Sequence, residues 1–194
     1  MTQPQYRVVL VGSSCVGKTA IITRRVKGEK PSNYSETIGA AFFTYKEKID
    51  DEEVEIQVWD TAGQEKYRAL GPVYFRNANA GIFVYDVTDQ ESFNSLQFWI
   101  TSFQETAGVD IPIFIVGNKV DLEDNIVVEI SMGQKFAQDH GYSFFPTSAV
   151  TGRNINFLFQ KVADTVYHQG DQFVHKKNNI QPGLPEANDE TKCC

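Results

Sequence analysis

The sequence predicts an α/β protein with a mostly parallel sheet flanked by helices, and three observations carry that expectation. Segments of strand character alternate with segments of helical spacing, joined by short connections. Residues 81–85 and 111–116 are unbroken apolar runs, as in parallel strands covered on both faces. Every stretch with chemical potential falls just after a strand, and ligands of such sheets sit at the carboxyl ends of the strands.

Residues 6–11 form the first strand, with Val8, Val9, Leu10 and Val11 as its apolar run. A helix from Gly17 to about Lys27 follows, with Ile21, Ile22 and Val26 as its apolar positions. Residues 27–35 are polar, are broken by Gly28 and Pro31, and read as a mobile loop. Residues 42–48 and 54–59 are strands joined by the acidic turn 50–53, a hairpin pattern. In the second of them Val54, Ile56 and Val58 alternate with Glu55, Gln57 and Trp59, which places Trp59 on the polar face. Beyond the strand at 81–85, Phe93, Leu96, Ile100 and Phe103 keep helical spacing over about 90–107. The strand at 111–116 is followed by a helix over about 131–140 and a strand at 142–145. A last helix follows Gly152, with Ile155, Phe159, Val162 and Val166 on one face. From Gly170 onward Asn, Gln, Pro, Glu and Asp dominate without an apolar face, so the chain divides into a folded domain over 1–169 and a flexible tail over 170–194.

Composition narrows the classes. A chain of 194 residues that is 41% hydrophobic and 22% charged suits one domain with a sizeable core. A net charge of −7 and a pI near 5.0 argue against nucleic acid as a partner. No signal-peptide pattern opens the chain and no apolar run approaches ~18 residues, so it is expected to be neither secreted nor membrane-spanning. The three cysteines, Cys15, Cys193 and Cys194, form no disulfide framework and fit a reducing compartment.

The organising stretch is Gly12-Ser13-Ser14-Cys15-Val16-Gly17-Lys18-Thr19, between the first strand and the first helix. Glycines at both ends of this loop let successive N–H groups turn inward onto phosphate oxygens, at the positive end of the following helix. Lys18 can reach β- and γ-phosphates, and the Thr19 hydroxyl can ligate Mg²⁺. A plain Gly/Ser turn is the bland alternative. After the strand at 54–59 comes Asp60-Thr61-Ala62-Gly63-Gln64. Asp60 is placed to hold Mg²⁺ through a water, Gly63 to bring a backbone N–H to the γ-phosphate, and Gln64 to orient an attacking water. After the strand at 111–116 comes Asn118-Lys119-Val120-Asp121. Asp121 can accept from the N1–H and exocyclic amine of guanine, a donor pair that adenine lacks. Asn118 can bond the base and tie its loop to the phosphate loop, and the Lys119 stem can lie along the ring. Thr147-Ser148-Ala149 offers a backbone N–H to guanine O6.

On these motifs the chain resembles a Ras-superfamily small GTPase of the Rab family, over residues 6 to about 168 and the last two. Further matches are Thr37-Ile38-Gly39-Ala40-Ala41-Phe42, Trp59 to Glu65, Lys66-Tyr67-Arg68-Ala69-Leu70, Tyr74-Phe75-Arg76-Asn77-Ala78 and Tyr85 to Phe93. Ala40-Ala41 and Leu70-Gly71-Pro72 lean towards the early-endosomal Rab branch. The resemblance implies the small G domain of the P-loop NTPases: six strands, mostly parallel with one antiparallel edge strand, and about five helices. It implies nucleotide contacts from Ser14, Cys15, Val16, Gly17, Lys18, Thr19, Ala20, Tyr34, Thr37, Gly63, Asn118, Lys119, Asp121, Ser148, Ala149 and Val150. Thr19, Thr37 and, through water, Asp60 would hold Mg²⁺, and Gln64 would be catalytic. Ile38, Phe42, Trp59 and Tyr74 would form the effector surface, although Trp59 covered by the chain's own loops is the plainer reading. Cys193 and Cys194 match a double-cysteine terminus that receives two geranylgeranyl groups, and two lipid chains give stable anchoring where one does not.

The activity so implied is hydrolysis of GTP by a membrane-anchored switch in vesicle or endosomal traffic, on the cytoplasmic face of endosomal membranes and cycling with cytosol. Its partners would be an exchange factor, an activating protein, a GDP-dissociation inhibitor and effectors, with the GTPase itself a monomer. A nucleotide-bound scaffold with negligible turnover is the alternative. Two positions depart from the family pattern. Lys30 stands where relatives carry an aromatic flanking the guanine, and Val150 stands where they carry a Lys, which predicts faster nucleotide exchange. No Arg lies between Arg25 and Arg68, so no catalytic arginine is supplied in cis and hydrolysis should be slow without a partner.

Overall fold

The computed structural model describes residues 5–29, 37–63 and 71–178, without the side chains of Pro72 and of 170–178. Six strands, β1 (Gln5–Val11), β2 (Ala40–Ile49), β3 (Glu52–Thr61), β4 (Ala80–Asp86), β5 (Ile113–Asn118) and β6 (Ser143–Pro146), form one sheet in the order β2-β3-β1-β4-β5-β6. Among the described residues only β2 and β3 pair antiparallel, through a hairpin closed by Ile49 opposite Glu52. Its two turn residues, Asp50 and Asp51, have φ of 49° and 67°. A two-residue turn with both centres left-handed matches the twist of its strands, and Asp tolerates that region.

The helices are α1 (Lys18–Lys27), α2 (Gly71–Phe75), α3 (Gln90–Asn94), α4 (Leu96–Ala107), α5 (Ile130–His140) and α6 (Ile155–Asn178). Period-two alternation along β1 divides the core between the two faces of the sheet. Val8 and Leu10 pack with Ile21 and Ile22 of α1 and Leu158 and Phe159 of α6. Val9 and Val11 pack with Leu96, Ile100 and Phe103 of α4 and Ala137 of α5. β4 and β5 are buried along their whole length, as their unbroken apolar runs require.

Three expectations change. Val26 is 42% exposed rather than a core position, because the α1 stripe is complete with Ile21 and Ile22. The helix over 90–107 is two helices, α3 and α4, interrupted at Ser95. α6 continues to Asn178, past the boundary drawn at residue 170. Gly170 costs a helix about 1 kcal/mol, too little to stop one already packed along its first half, and the next proline is Pro182. The tail from 179 onward lies outside the described residues. Among the described residues no helix is long and apolar enough to cross a membrane.

Candidate nucleotide and magnesium site

The loop Gly12–Thr19 leaves the carboxyl end of β1 and enters α1 at Gly17, whose φ is 97°. A Cβ at Gly17 would stand 2.3 Å from the Asn118 amide nitrogen, so only glycine lets the loop pass beside β5. Lys18 is buried and donates from Nζ to the carbonyls of Gly12 (2.8 Å) and Ser13 (2.7 Å), folding its ammonium back beneath the loop. Burial lowers its pKa to about 8 against the opposing pull of Asp60 and Cys15. Anionic phosphates placed here would stabilise the charged form. Ser14 and Cys15 are exposed at the loop crest, with Cys15 at a φ of 61°; Val16 is buried beneath it. Ala20, half-buried, packs against the α1 core.

At the same end of the sheet the Thr19 hydroxyl donates to Asp60 Oδ2 at 2.5 Å and lies 2.8 Å from the Thr37 hydroxyl. The Thr37 hydroxyl is also 3.4 Å from Asp60 Oδ2. Asp60 is fully buried, and its Oδ1 has no hydrogen-bond partner among the described residues. Burial raises its pKa, while the Thr19 hydrogen bond, Lys18 and Thr37 oppose the rise. An orphaned buried carboxylate oxygen beside two hydroxyls is a set of hard oxygen donors, which fits Mg²⁺. Among the described residues there is no cluster of three or more His, Cys, Asp or Glu that could hold a metal. A cation held by one carboxylate, hydroxyls, water and substrate phosphates needs none. Gly63 closes this corner: a Cβ there would fall 2.4 Å from the Ser13 carbonyl carbon and 2.5 Å from Ser14 N, so its backbone rests directly on the phosphate loop.

The neighbouring loops after β5 and β6 are laced together. Asn118 is buried, donates from Nδ2 to the Val16 carbonyl at 2.9 Å and accepts from the Thr147 hydroxyl at 3.2 Å. It therefore ties its loop to the phosphate loop, as expected. Val120 N donates to Thr147 O at 3.2 Å, and Thr147 N to Gly117 O at 2.8 Å. Asp121 Oδ1 is buried without a partner among the described residues, an acceptor left for a base edge. Ser148 and Ala149 are buried and Val150 half-buried, with the Ser148 hydroxyl accepting from Thr151 N at 3.0 Å. Lys119, at a φ of 68°, pairs from Nζ with Asp86 Oδ2 at 2.5 Å. Its stem is thus held by a carboxylate at the end of β4 that the motif pattern did not single out.

The model of the family described as the Ras family matches residues 7–168. The chain belongs to the Ras family. As a Ras-family small GTPase it binds guanine nucleotide with Mg²⁺, hydrolyses GTP, and works through regulators and effectors.

In this Ras-family domain the aromatics expected at the effector face also come together. Phe42 and Trp59, opposite one another on β2 and β3, meet edge-to-face at 5.4 Å between centroids, and Trp59 lies 6.0 Å from Tyr74 on α2. Phe42 is 51% and Ile38 81% exposed. Trp59 is only half-buried, so the chain's own groups cover part of it. Its cover is Arg7 of β1, whose guanidinium carbon sits 4.3 Å from the indole centroid. Arg7 was not legible as part of this face, since nothing in its strand marks it apart from its neighbours. Lys30, Tyr34, Gln64, residues 66–70, Cys193 and Cys194 lie outside the described residues.

Proposed function

We propose that this Ras-family GTPase is a Rab-type switch in vesicle traffic, on the early-endosomal branch, anchored by geranylgeranyl groups on Cys193 and Cys194. The observation that carries the reading is the aromatic cluster Phe42–Trp59–Tyr74, two of whose members lie on the strand that follows Thr37 and the strand that leads to Gly63. Large, partly exposed aromatics bordered by Ile38 make good anchors for a protein partner.

The site chemistry supports a switch. Thr37 shares hydrogen bonds with Thr19 and Asp60, and Gly63 rests on the Ser13–Ser14 peptide. Both segments therefore border the place where a γ-phosphate would lie, and loss of that phosphate removes a reason for either to stay. Thr19, Thr37 and, through water, Asp60 would hold Mg²⁺, which would neutralise charge on the phosphates. Gln64 would orient water for in-line attack on the γ-phosphorus; the bond to the β-bridging oxygen breaks, and GDP and phosphate result. With no arginine between Arg25 and Arg68, the intrinsic rate is slow and an activating protein supplies charge in trans. An exchange factor, a GDP-dissociation inhibitor and effectors complete the cycle between the cytoplasmic face of endosomal membranes and the cytosol, with the GTPase acting as a monomer.

The test images tagged wild type beside the Cys193→Ser/Cys194→Ser protein and follows single-turnover hydrolysis of wild type and Gln64→Leu. Wild type should mark endosomal membranes and the double mutant should be diffuse, with Gln64→Leu slower by on the order of tenfold or more. A diffuse wild type overturns the membrane role. Equal hydrolysis rates overturn the role of Gln64 and favour a scaffold with negligible turnover.

A further inference from the structure

We propose that Ser95, at the break between α3 and α4, is a positioning residue that pins the phosphate loop through Ser13. The inference rests on the nucleotide switch proposed above and deepens it by naming what holds the γ-phosphate side of the cradle. The Ser13 and Ser95 hydroxyl oxygens are 2.8 Å apart, across 82 residues of sequence.

The direction of that hydrogen bond follows from the next link. Ser95 Oγ donates its single proton to the Ser92 carbonyl at 2.9 Å. The Ser13 hydroxyl is therefore the donor to Ser95, and its proton is committed. The Ser13 hydroxyl cannot at the same time donate to a phosphate oxygen, so the residue acts by where it holds the backbone rather than by touching nucleotide. Behind Ser95 the chain of bonds is continuous. Ser92, buried, donates to the Asp89 carbonyl at 2.7 Å and accepts from Asp86 N at 3.0 Å. Asp86 in turn holds Lys119. A hydrogen-bonded strut thus runs from the base loop, along the end of β4, to the phosphate loop.

What the strut holds is the Ser13–Ser14 peptide. The Ser13 carbonyl takes one of the two Lys18 hydrogen bonds, and Gly63 lies so close to this peptide that a methyl group would not fit. A displacement of a few tenths of an ångström is felt by both the lysine and the Gly63 backbone. Ser95 stands at the start of α4 yet makes no side-chain capping bond, although serine is among the best residues for that task. Its oxygen is turned to Ser13 instead.

The test compares wild type, Ser13→Ala, Ser95→Ala, the double alanine variant and Ser95→Thr as full-length chains. The readouts are affinity for a non-hydrolysable GTP analogue, affinity for GDP, and single-turnover hydrolysis. Each single alanine variant should lose GTP-analogue affinity on the order of fivefold, the worth of one hydrogen bond. The double variant should lose no more than either single, because the two hydroxyls share one bond. Ser95→Ala should bind GDP within about twofold of wild type, and Ser95→Thr should restore the GTP analogue. Additive losses, an unchanged Ser95→Ala, or equal losses for GDP and the GTP analogue overturn the proposal. If wild type binds both nucleotides but turns over no GTP, the proposed switch fails, while the Ser13–Ser95 coupling is still decided by the binding ratios.

Discussion

The Arg7 guanidinium covers the Trp59 indole at 4.3 Å and donates from Nη2 to the Tyr74 carbonyl at 2.9 Å. One side chain on a central strand therefore holds two of the three aromatics of the exposed cluster. Arg7 is itself fixed by a reciprocal pair of bonds with Asn79, from Arg7 N to Asn79 Oδ1 at 2.8 Å and from Asn79 N to Arg7 O at 2.7 Å. Desolvation lowers the Arg7 pKa, without removing a charge that an arginine keeps at any physiological pH. Replacing it with Gln should free the indole and loosen α2. The chain has two tryptophans, so the measurement belongs in a Trp99→Phe background, where acrylamide quenching of Trp59 should rise clearly in Arg7→Gln. Stability should fall by about 1 kcal/mol, as expected for a partly buried cation–π contact. Unchanged quenching would show that strand pairing alone sets the indole.

Asp60 has one oxygen shared by two hydroxyls and one with no partner among the described residues. Asp60→Asn keeps the shape and removes the charge a divalent cation needs. Nucleotide retention titrated against Mg²⁺ should then require at least about tenfold more cation, with the fold intact by circular dichroism. An unchanged Mg²⁺ requirement would move the cation away from this carboxylate.

What was legible in the chain, and what was not, separates by range of interaction. The phosphate loop is a local spacing in which every residue has a backbone reason, so it reads directly from Gly12 to Thr19. The parallel strands read from the apolar runs of β4 and β5. Asp60 and Asn118 are far from that loop in sequence, and their positions at the carboxyl ends of strands placed them beside it, whereas Thr37 was placed there only by matching to a family pattern. The break at Ser95 was hidden because Phe93, Leu96, Ile100 and Phe103 keep helical phase across it, and periodicity reports phase rather than hydrogen bonding. Arg7 was hidden because a cation that covers an aromatic looks, in sequence, like any solvated strand residue. Val26 was overcounted for the opposite reason, since an apolar residue at the edge of a stripe can simply remain exposed.

Tyr45 ties the edge of the sheet to α6. Its hydroxyl donates to the Phe159 carbonyl at 2.9 Å inside the core, its ring meets Phe159 edge-to-face at 5.4 Å, and the Arg25 guanidinium carbon lies 4.8 Å from its centroid. Burial raises the phenol pKa far above its ordinary value, so the proton stays on the oxygen across the accessible range. Tyr45→Phe keeps the ring contacts and removes only the hydrogen bond. It should cost about 1 kcal/mol in urea unfolding, or roughly 2–4 °C in Tm. Tyr45→Ala, which also empties the ring site, should cost about 3–5 kcal/mol. Equal losses would assign the whole contribution to the hydroxyl.

The two positions that depart from the family pattern around the base give a kinetic expectation. Val150 is half-buried in the loop that follows β6, next to buried Ser148 and Ala149. Its short branched side chain would cover less of a guanine face than a lysine stem at that position. Lys30 takes the place of an aromatic on the other segment expected to flank the base. Neither change falls on a residue expected to contact phosphate or cation, so tight binding should persist while packing of the base should weaken. Lys30→Phe and Val150→Lys should each slow GDP release by on the order of fivefold, if each restores about 1 kcal/mol of contact, and together by roughly 30-fold. Stopped-flow release of a fluorescent GDP analogue reads the rates. Release that is already slow in wild type and unmoved by either substitution would show that the phosphate loop alone sets the lifetime of the complex.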